Sequence, residues 1–165
     1  MASGAANQTE APPKGRLLWI ALAVAVLVAV DQLTKHWAVS NLADGPLHII
    51  GDGVEFALSR NGGSAFGRFQ GMTTLLAVGA IFVSVLIVRE ARNATDRVKL
   101  IGYVLVLGGA LGNLSDRFFR APGFLRGHVV DFVAIGRFPV FNFADSCITI
   151  GAILLVWRTL RTSSA

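Results

Sequence analysis

Charge is scarce in this sequence of 165 residues. Only 15% of the residues are Asp, Glu, Lys or Arg, whereas 53% are hydrophobic and the mean hydropathy is +0.60. In a soluble domain of this length about a quarter of the residues would be charged. The composition therefore predicts a membrane protein, and the length predicts one compact unit without a second domain.

The sequence also lacks the residues that build disulfides and common metal sites. Its one cysteine, Cys147, excludes an internal disulfide and a metal site made from several cysteines. The three histidines, His36, His48 and His128, are scattered and show no HExxH or other helical pair at i, i+4. We therefore expect no metal ion and no cofactor, and we expect Cys147 to serve in packing.

A dense basic patch with interleaved aromatic residues is missing as well. The formal net charge is +5, but the arginines lie between hydrophobic runs, where lipid headgroups are the nearer partner. We therefore expect membrane lipids as partners and no nucleic acid.

Four long apolar runs are present, and the first is close to the length of about 20 residues that a bilayer requires. They predict transmembrane helices at about residues 17–39, 72–88, 100–114 and 141–160. The third run contains several glycines, which let membrane helices approach closely. We expect one membrane-embedded domain over residues 14–161, with a disordered tail at residues 1–13 and a short tail at residues 162–165.

The connections between the runs indicate the orientation. The segment from Arg89 to Lys99 is densely basic and both tails are basic, which predicts cytoplasmic termini. The longer segments, about residues 40–71 and 115–140, then face outward. The first of them alternates apolar and polar residues around Gly51-Asp52-Gly53, which predicts a small β-hairpin or sheet at the extracytoplasmic face. The fold class expected is thus an all-α membrane protein of four transmembrane helices with a small β element.

Two aspartates bracket the start of the last apolar run, Asp131 in HVVDFVAIG and Asp145 in FNFADSCITIGAILLVW. Ionisable groups at the rim of a membrane span are costly and therefore mark function. Two converging carboxylates can share one proton, so that one activates water while the other protonates a leaving group. The pair predicts an intramembrane aspartyl hydrolase.

Other polar residues recur at helical spacing near the same rim. Asp31 and Lys35 are four residues apart, which is typical of either an ion pair or a functional polar site at helix depth. Gly109, Asn113 and Arg117 share one stripe of the third helix. Asp116 lies beside that stripe, and Asp116-Arg117 could instead mark the water boundary.

A second polar stripe lies in the fourth helix and consists of Asn142, Asp145, Ser146 and Thr149. Its carboxylate favours catalysis over a purely structural stripe. Asn61 lies in RNGGSAF of the outer segment, where the glycines could bring the backbone close to a ligand or simply turn the chain.

The motifs DQLTK, NGGSAF, GGALGNLSDR, HVVDF and FNFADS follow one another in this order over four hydrophobic spans. This order resembles lipoprotein signal peptidase (signal peptidase II), the bacterial membrane aspartyl protease family, over about residues 16–160. The resemblance implies that Asp131 and Asp145 form the catalytic dyad. It also implies a set of residues that bind substrate or position the dyad: Asp31, Lys35, Asn61, Gly109, Asn113, Arg117 and Asn142. A small departure is Ser64, where the family more usually has alanine.

The resemblance further implies the substrate and the location. The substrate would be a prolipoprotein, cleaved immediately before a lipobox cysteine that carries diacylglycerol, and the enzyme would lie in the bacterial cytoplasmic membrane with its active site near the extracytoplasmic face. Because the fold needs no partner, we expect a monomer.

Three other classes of protein compete with this interpretation. A small proton-coupled transporter or channel would also place polar residues in a helix bundle, but such proteins commonly have internal repeats with matching broken helices, which are lacking here. A structural interaction protein gives no reason for two aspartates on one rim. A serine intramembrane protease is disfavoured because no G-x-S-x-G motif occurs.

Overall fold

The computed structural model describes residues 14–51, 53–63 and 72–163. These residues form four α-helices and three β-strands, which follow one another as α1 (Lys14–Asn41), β1 (Leu47–Ile50), β2 (Val54–Asn61), α2 (Met72–Asn93), α3 (Arg97–Phe119), β3 (Val129–Ile135) and α4 (Phe143–Ser163). Each helix is long and apolar enough to cross a membrane. The expected fold class is confirmed. The expected N-terminal tail, Asp52 and Ser64 lie outside the described residues.

The helices extend beyond the apolar runs that predicted them. Hydropathy marks only the part of a helix that lies in hydrocarbon, whereas the backbone hydrogen bonds continue into the polar boundary. α2 therefore ends at Asn93 and not near residue 88, and α4 continues to Ser163 through half of the expected C-terminal tail. α3 begins at Arg97 because Asp96 caps it, its side chain accepting a hydrogen bond from the Lys99 backbone N–H at 2.9 Å.

α3 lies at the centre of the bundle and packs against α1, α2 and α4. Its glycines permit this close approach, as expected from the sequence. A Cβ atom on Gly109 would lie 2.4 Å from the Ala144 carbonyl oxygen of α4, and one on Gly112 would lie 2.6 Å from the Asp31 carboxylate of α1. The missing side chains thus allow α4 and α1 to bring polar groups against α3.

The three strands form one antiparallel sheet in the order β1-β2-β3. The sequence predicted only the β1 and β2 part, whose turn is closed by the Gly53 N–H donating to the Ile50 carbonyl at 3.1 Å. β3 was missed, because its run VVDFVAI is mostly buried and shows no clear alternation. In the register of the sheet Asp131 is paired with Ser59 of β2.

An apolar cluster joins the sheet to the end of α1. Ala38 and Leu42 of α1 pack with Val130 and Phe132 of β3, and all four side chains are buried. The Trp37 ring contacts Phe132 edge-on with a centroid distance of 6.4 Å. This cluster fixes β3, and with it Asp131, against the helical bundle.

Candidate active site

A cavity of about 500 Å³ lies between α2 and α4, with α3 behind it. Most of its wall is apolar and comes from α2, α3 and α4. Polar side chains line it from one region, namely Asn61, Asn113, Arg117, Asp131 and Asp145. Every one of them belongs to the residues that the sequence analysis singled out.

Asp131 is contributed by β3 and is 2% exposed. The Asn142 side-chain Nδ2 donates a hydrogen bond to its Oδ1 at 2.6 Å. The pKa of Asp131 is raised from 3.8 to about 6, mainly by burial and also by the negative charge of Asp145. Hydrogen bonding to Asn61 and Asn142 and the charge of Lys35 oppose this rise. Asp131 therefore retains a proton at pH values at which an ordinary aspartic acid is ionised.

Asp145 is contributed by the first turn of α4, which Asn142 caps. The two residues form a reciprocal capping box, in which the Asp145 N–H donates to Asn142 Oδ1 at 2.9 Å and the Asn142 N–H donates to Asp145 Oδ2 at 3.2 Å. Asn113 of α3 donates from Nδ2 to Asp145 Oδ1 at 2.8 Å. Two donors, the Asn142 backbone N–H and the Asn113 side-chain amide, thus bind this carboxyl group at the N-terminus of α4.

Asn142 joins the two aspartates. Its backbone N–H binds Asp145 and its side-chain amide binds Asp131, and the side chain is fully buried. The amide nitrogen is also within hydrogen-bonding distance of Asn113 Oδ1, at 3.2 Å. Asn142 therefore contacts both of the carboxyl groups that the sequence analysis singled out.

Behind this site lies a buried ion cluster. Lys35 Nζ lies 2.8 Å from Asp31 Oδ2 and 3.0 Å from Asp116 Oδ2, and it donates to Asn113 Oδ1 at 2.9 Å. Lys35, Asp31 and Asp116 are each at most 1% exposed. Arg120 completes the cluster, with Nε 2.6 Å from Asp116 Oδ1, so that two carboxylates face two cations.

The sequence analysis underestimated Asp116. One interpretation had Asp116-Arg117 marking the water boundary, but both side chains are buried. Asp116 binds Arg120 through Oδ1 and Lys35 through Oδ2. Its Oδ2 also accepts a hydrogen bond from the N–H of Val130, the residue before Asp131 in β3, at 3.0 Å. The sequence signal that could have found it is the i, i+4 spacing of Asp116 and Arg120 combined with a lysine at helix depth.

Arg117 and Asn61 connect the three-stranded sheet to α3. Arg117 Nη1 donates to the Asn61 carbonyl at 3.1 Å and to the Gly127 carbonyl at 3.0 Å. Asn61 Oδ1 accepts the Gly63 N–H at 2.8 Å, and Gly63 adopts a positive φ of 82°. The chain therefore turns at the end of β2 while both side chains remain at the cavity.

Asp31, Lys35 and Asn142 lie behind the cavity wall, and Gly109 and Thr149 also lie away from it. Gly109 contacts the Ala144 carbonyl instead. Its missing side chain allows the first turn of α4 to pack closely against α3. Thr149 is exposed, because the second polar stripe turns away from α3 after Ser146. Cys147 is buried, in agreement with a packing role. In the described ranges, no three His, Cys, Asp or Glu side chains are grouped closely enough to hold a metal ion.

Comparison with known proteins identifies the family of this chain. The family model for signal peptidase (SPase) II matches residues 23–161. The chain belongs to the signal peptidase II family. A lipoprotein signal peptidase of Rhodococcus jostii is 51% identical over 159 residues, covering 96% of this chain and 80% of that protein. One from Mycobacterium tuberculosis strain H37Rv is 48% identical over 156 residues, covering 93% of this chain and 77% of the relative.

Solved structures agree with the family. A bacterial membrane enzyme solved by the in meso method superimposes with a TM-score of 0.77 at 28% identity, over 93% of each chain. A second structure with the same description gives a TM-score of 0.75 over 91% of this chain and 96% of the other. As a member of the signal peptidase II family, the chain is a multi-pass bacterial membrane protease. The alternative of a proton-coupled transporter is not supported.

Proposed function

We propose that this chain is an aspartyl endopeptidase that removes signal peptides from prolipoproteins, with Asp131 and Asp145 as its catalytic dyad. The observation that carries the proposal is the convergence of two carboxyl groups from separate elements, β3 and α4, on Asn142 at one cavity. Relatives at about half identity are lipoprotein signal peptidases, which supports the choice of substrate.

The two carboxyl groups differ in a way that suits acid–base catalysis. Asp131 is buried and its pKa is raised to about 6, so it keeps a proton that it can donate at pH values at which an ordinary aspartic acid is ionised. Asp145 accepts hydrogen bonds from Asn113 and from the cap of α4. One proton shared between the two carboxyl groups is the state that aspartyl hydrolysis requires.

In the proposed reaction the ionised member takes a proton from a water molecule, whose oxygen attacks the carbonyl carbon of the scissile bond. The protonated member donates its proton to the carbonyl oxygen, which gives a tetrahedral diol. As the C–N bond breaks, the dyad protonates the leaving amine and takes back one proton from a diol hydroxyl, so that the carboxylic acid product forms and the dyad again holds one proton. Asn113 and Asn142 position the carboxyl groups through hydrogen bonds, and Lys35 positions Asn113 through another. Arg117 and Asn61 are placed to contact the substrate backbone beside the dyad.

The apolar wall of the cavity suits the signal-peptide helix. That helix would lie between α2 and α4 with its cleavage site next to the polar residues, and the outer sheet would cover the lipid-bearing end. Diacylglycerol on the cysteine after the scissile bond would hold that bond at the level of the dyad, since about 0.8 kcal/mol is gained per buried methylene.

The orientation and assembly belong to the same proposal. Both termini would be cytoplasmic, because the segment from Arg89 to Lys99 is densely basic, and the sheet and dyad would face outward. The protein would act as a monomer in contact with membrane lipids. Cysteines introduced at Gly53 and Thr95 in a Cys147→Ala background test this, since outside reagents should label only position 53 in intact cells.

A cleavage assay with purified protein tests the chemistry. Asp131→Asn and Asp145→Asn should each abolish cleavage of a diacylglyceryl-modified precursor, whereas Asp44→Asn, in an exposed turn, should not. Substantial turnover by either dyad variant would refute the assignment of the dyad.

The same precursor without its lipid tests the substrate. We expect a much lower kcat/KM for the unmodified peptide, because its scissile bond is not held in register with the dyad. Equal values would show that the enzyme reads only the peptide.

A further inference from the structure

A second cavity lies on another side of the bundle, between α1 and α2. Both helices pack along α3, and the cleft that separates them measures about 760 Å³. Small side chains give the cleft its depth, since α1 contributes Ala21, Ala25 and Ala29 and α2 contributes Ala91. It contains neither dyad aspartate, so it is distinct from the candidate active site.

The cleft is apolar along its length and polar only at its ends. One end carries Gln32, whose Nε2 is already occupied by the Gly112 carbonyl at 3.1 Å and by the Asp31 carboxylate at 3.1 Å. The other end carries Arg92, in the last turn of α2. Arg92 is therefore the polar group that this cleft offers to a ligand.

The guanidinium of Arg92 forms no ion pair with the described part of the chain. The side chain is exposed, and no carboxylate within residues 14–51, 53–63 and 72–163 lies at ion-pair distance from it. The acidic residue just beyond α2, Asp96, is bound by Arg158 Nε at 2.6 Å. Arg89, Arg97 and Lys99 surround the same end of the bundle, so its charge is strongly positive.

We propose that the cleft between α1 and α2 binds an anionic phospholipid, with its phosphate on Arg92 and an acyl chain along the alanines of α1. A guanidinium with free donors matches a phosphate oxygen pair, and basic pockets between membrane helices bind anionic headgroups. From Leu17 to Gln32 the cleft follows α1 for about 22 Å at 1.5 Å per residue. That length exceeds half of the hydrocarbon thickness of about 30 Å, so a chain from one leaflet fits within it.

Native mass spectrometry of the purified protein in detergent measures this binding without any need for catalysis. The protein is titrated with phosphatidylglycerol and with phosphatidylcholine of identical acyl chains. We expect phosphatidylglycerol to bind about fivefold more tightly, which corresponds to about 1 kcal/mol for one basic residue at an anionic headgroup.

Three variants identify the site. Arg92→Gln should abolish the preference for phosphatidylglycerol, whereas the matched control Arg89→Gln, on the same helix but outside the cleft, should retain it. Ala25→Phe fills the cleft at an exposed position and should weaken the binding of both lipids. Unchanged thermal midpoints in detergent verify that each variant is folded.

The proposal is overturned if the wild type binds both lipids equally, if Arg89→Gln behaves like Arg92→Gln, or if Ala25→Phe leaves lipid binding unchanged. Competition with glycerol 3-phosphate distinguishes a site that binds a whole lipid from a site that binds only its phosphate group. Glycerol 3-phosphate should not displace bound phosphatidylglycerol, and efficient displacement would show that the cleft plays no part.

Discussion

Replacing Asp131 by asparagine should stabilise the protein as it removes the proposed activity. Burial raises the pKa of Asp131 in the folded protein from 3.8 to about 6, so the folded state binds the proton more tightly than the unfolded chain does. The stability that comes from this proton is fully present below pH 3.8 and is lost as the pH rises through about 6. Asparagine has nearly the same shape and stays neutral throughout.

The size of the stability difference follows from the raised pKa of Asp131. A difference of about 2 pKa units corresponds to about 3 kcal/mol at 1.36 kcal/mol per unit. Asp131 is only 2% exposed, so solvent screens little of this free energy. We expect Asp131→Asn and the wild type to be equally stable near pH 4, and the variant to be more stable by about 3 kcal/mol above pH 7.

Thermal unfolding in one detergent between pH 4 and pH 8 measures the difference. Asp44→Asn removes a carboxylate from an exposed turn and is the matched control. The charge of Asp145 contributes to the raised pKa of Asp131, so the advantage of Asp131→Asn should be smaller in an Asp145→Asn background. The reasoning is refuted if the stability difference does not depend on pH, or if Asp131→Asn is the less stable protein at pH 7.5.

Three further predictions concern the surroundings of the dyad. Lys35→Met leaves two buried carboxylates without their shared cation and should destabilise the protein by about 3–5 kcal/mol in chemical unfolding, and a loss below 1 kcal/mol would contradict the ion cluster. Gly109→Ala places a Cβ against the Ala144 carbonyl, so it should cost about 1–3 kcal/mol and lower kcat by moving Asp145, whereas Gly79→Ala, which has open space, should not be destabilising. Cleavage should persist in excess EDTA, and a loss of activity that zinc alone restores would point to a metallohydrolase.

The helical part of the fold could be predicted from the sequence because hydrocarbon imposes both length and apolar composition on a spanning helix. The ends of the helices could not, since the polar residues that extend them are held by local caps and by tertiary contacts. Asp96 illustrates the first case, because one side-chain hydrogen bond starts α3 before its apolar run. Asp116 illustrates the second, because its partners Lys35 and Val130 are distant in sequence.

The strand that carries Asp131 shows a different limit. Alternation of apolar and polar residues identifies a strand that has one solvent-exposed face. β3 is buried at four successive residues, Val129, Val130, Asp131 and Phe132, so its sequence shows no such alternation. Its pairing with β2 also includes a register shift between Phe56 and Ser59. The hydrophobic periodicity of the sequence does not predict such a shift. The sequence motifs therefore identified Asp131 as a candidate without indicating the element that holds it.

At the start of α4 one residue, Asn142, both caps the helix and contacts the two aspartates of the candidate site. The spacing of Asn142 and Asp145 is that of a capping box, with an acidic residue at the third helical position, and each residue satisfies the other's backbone N–H. Asparagine differs from serine or aspartate at such a cap because its amide nitrogen remains free to donate. Here that nitrogen donates to Asp131 at 2.6 Å, in a side chain that is fully buried. Formation of the first turn of α4 therefore positions Asp145 and binds Asp131 in one step, so the relative position of the two aspartates is coupled to the stability of a helix end.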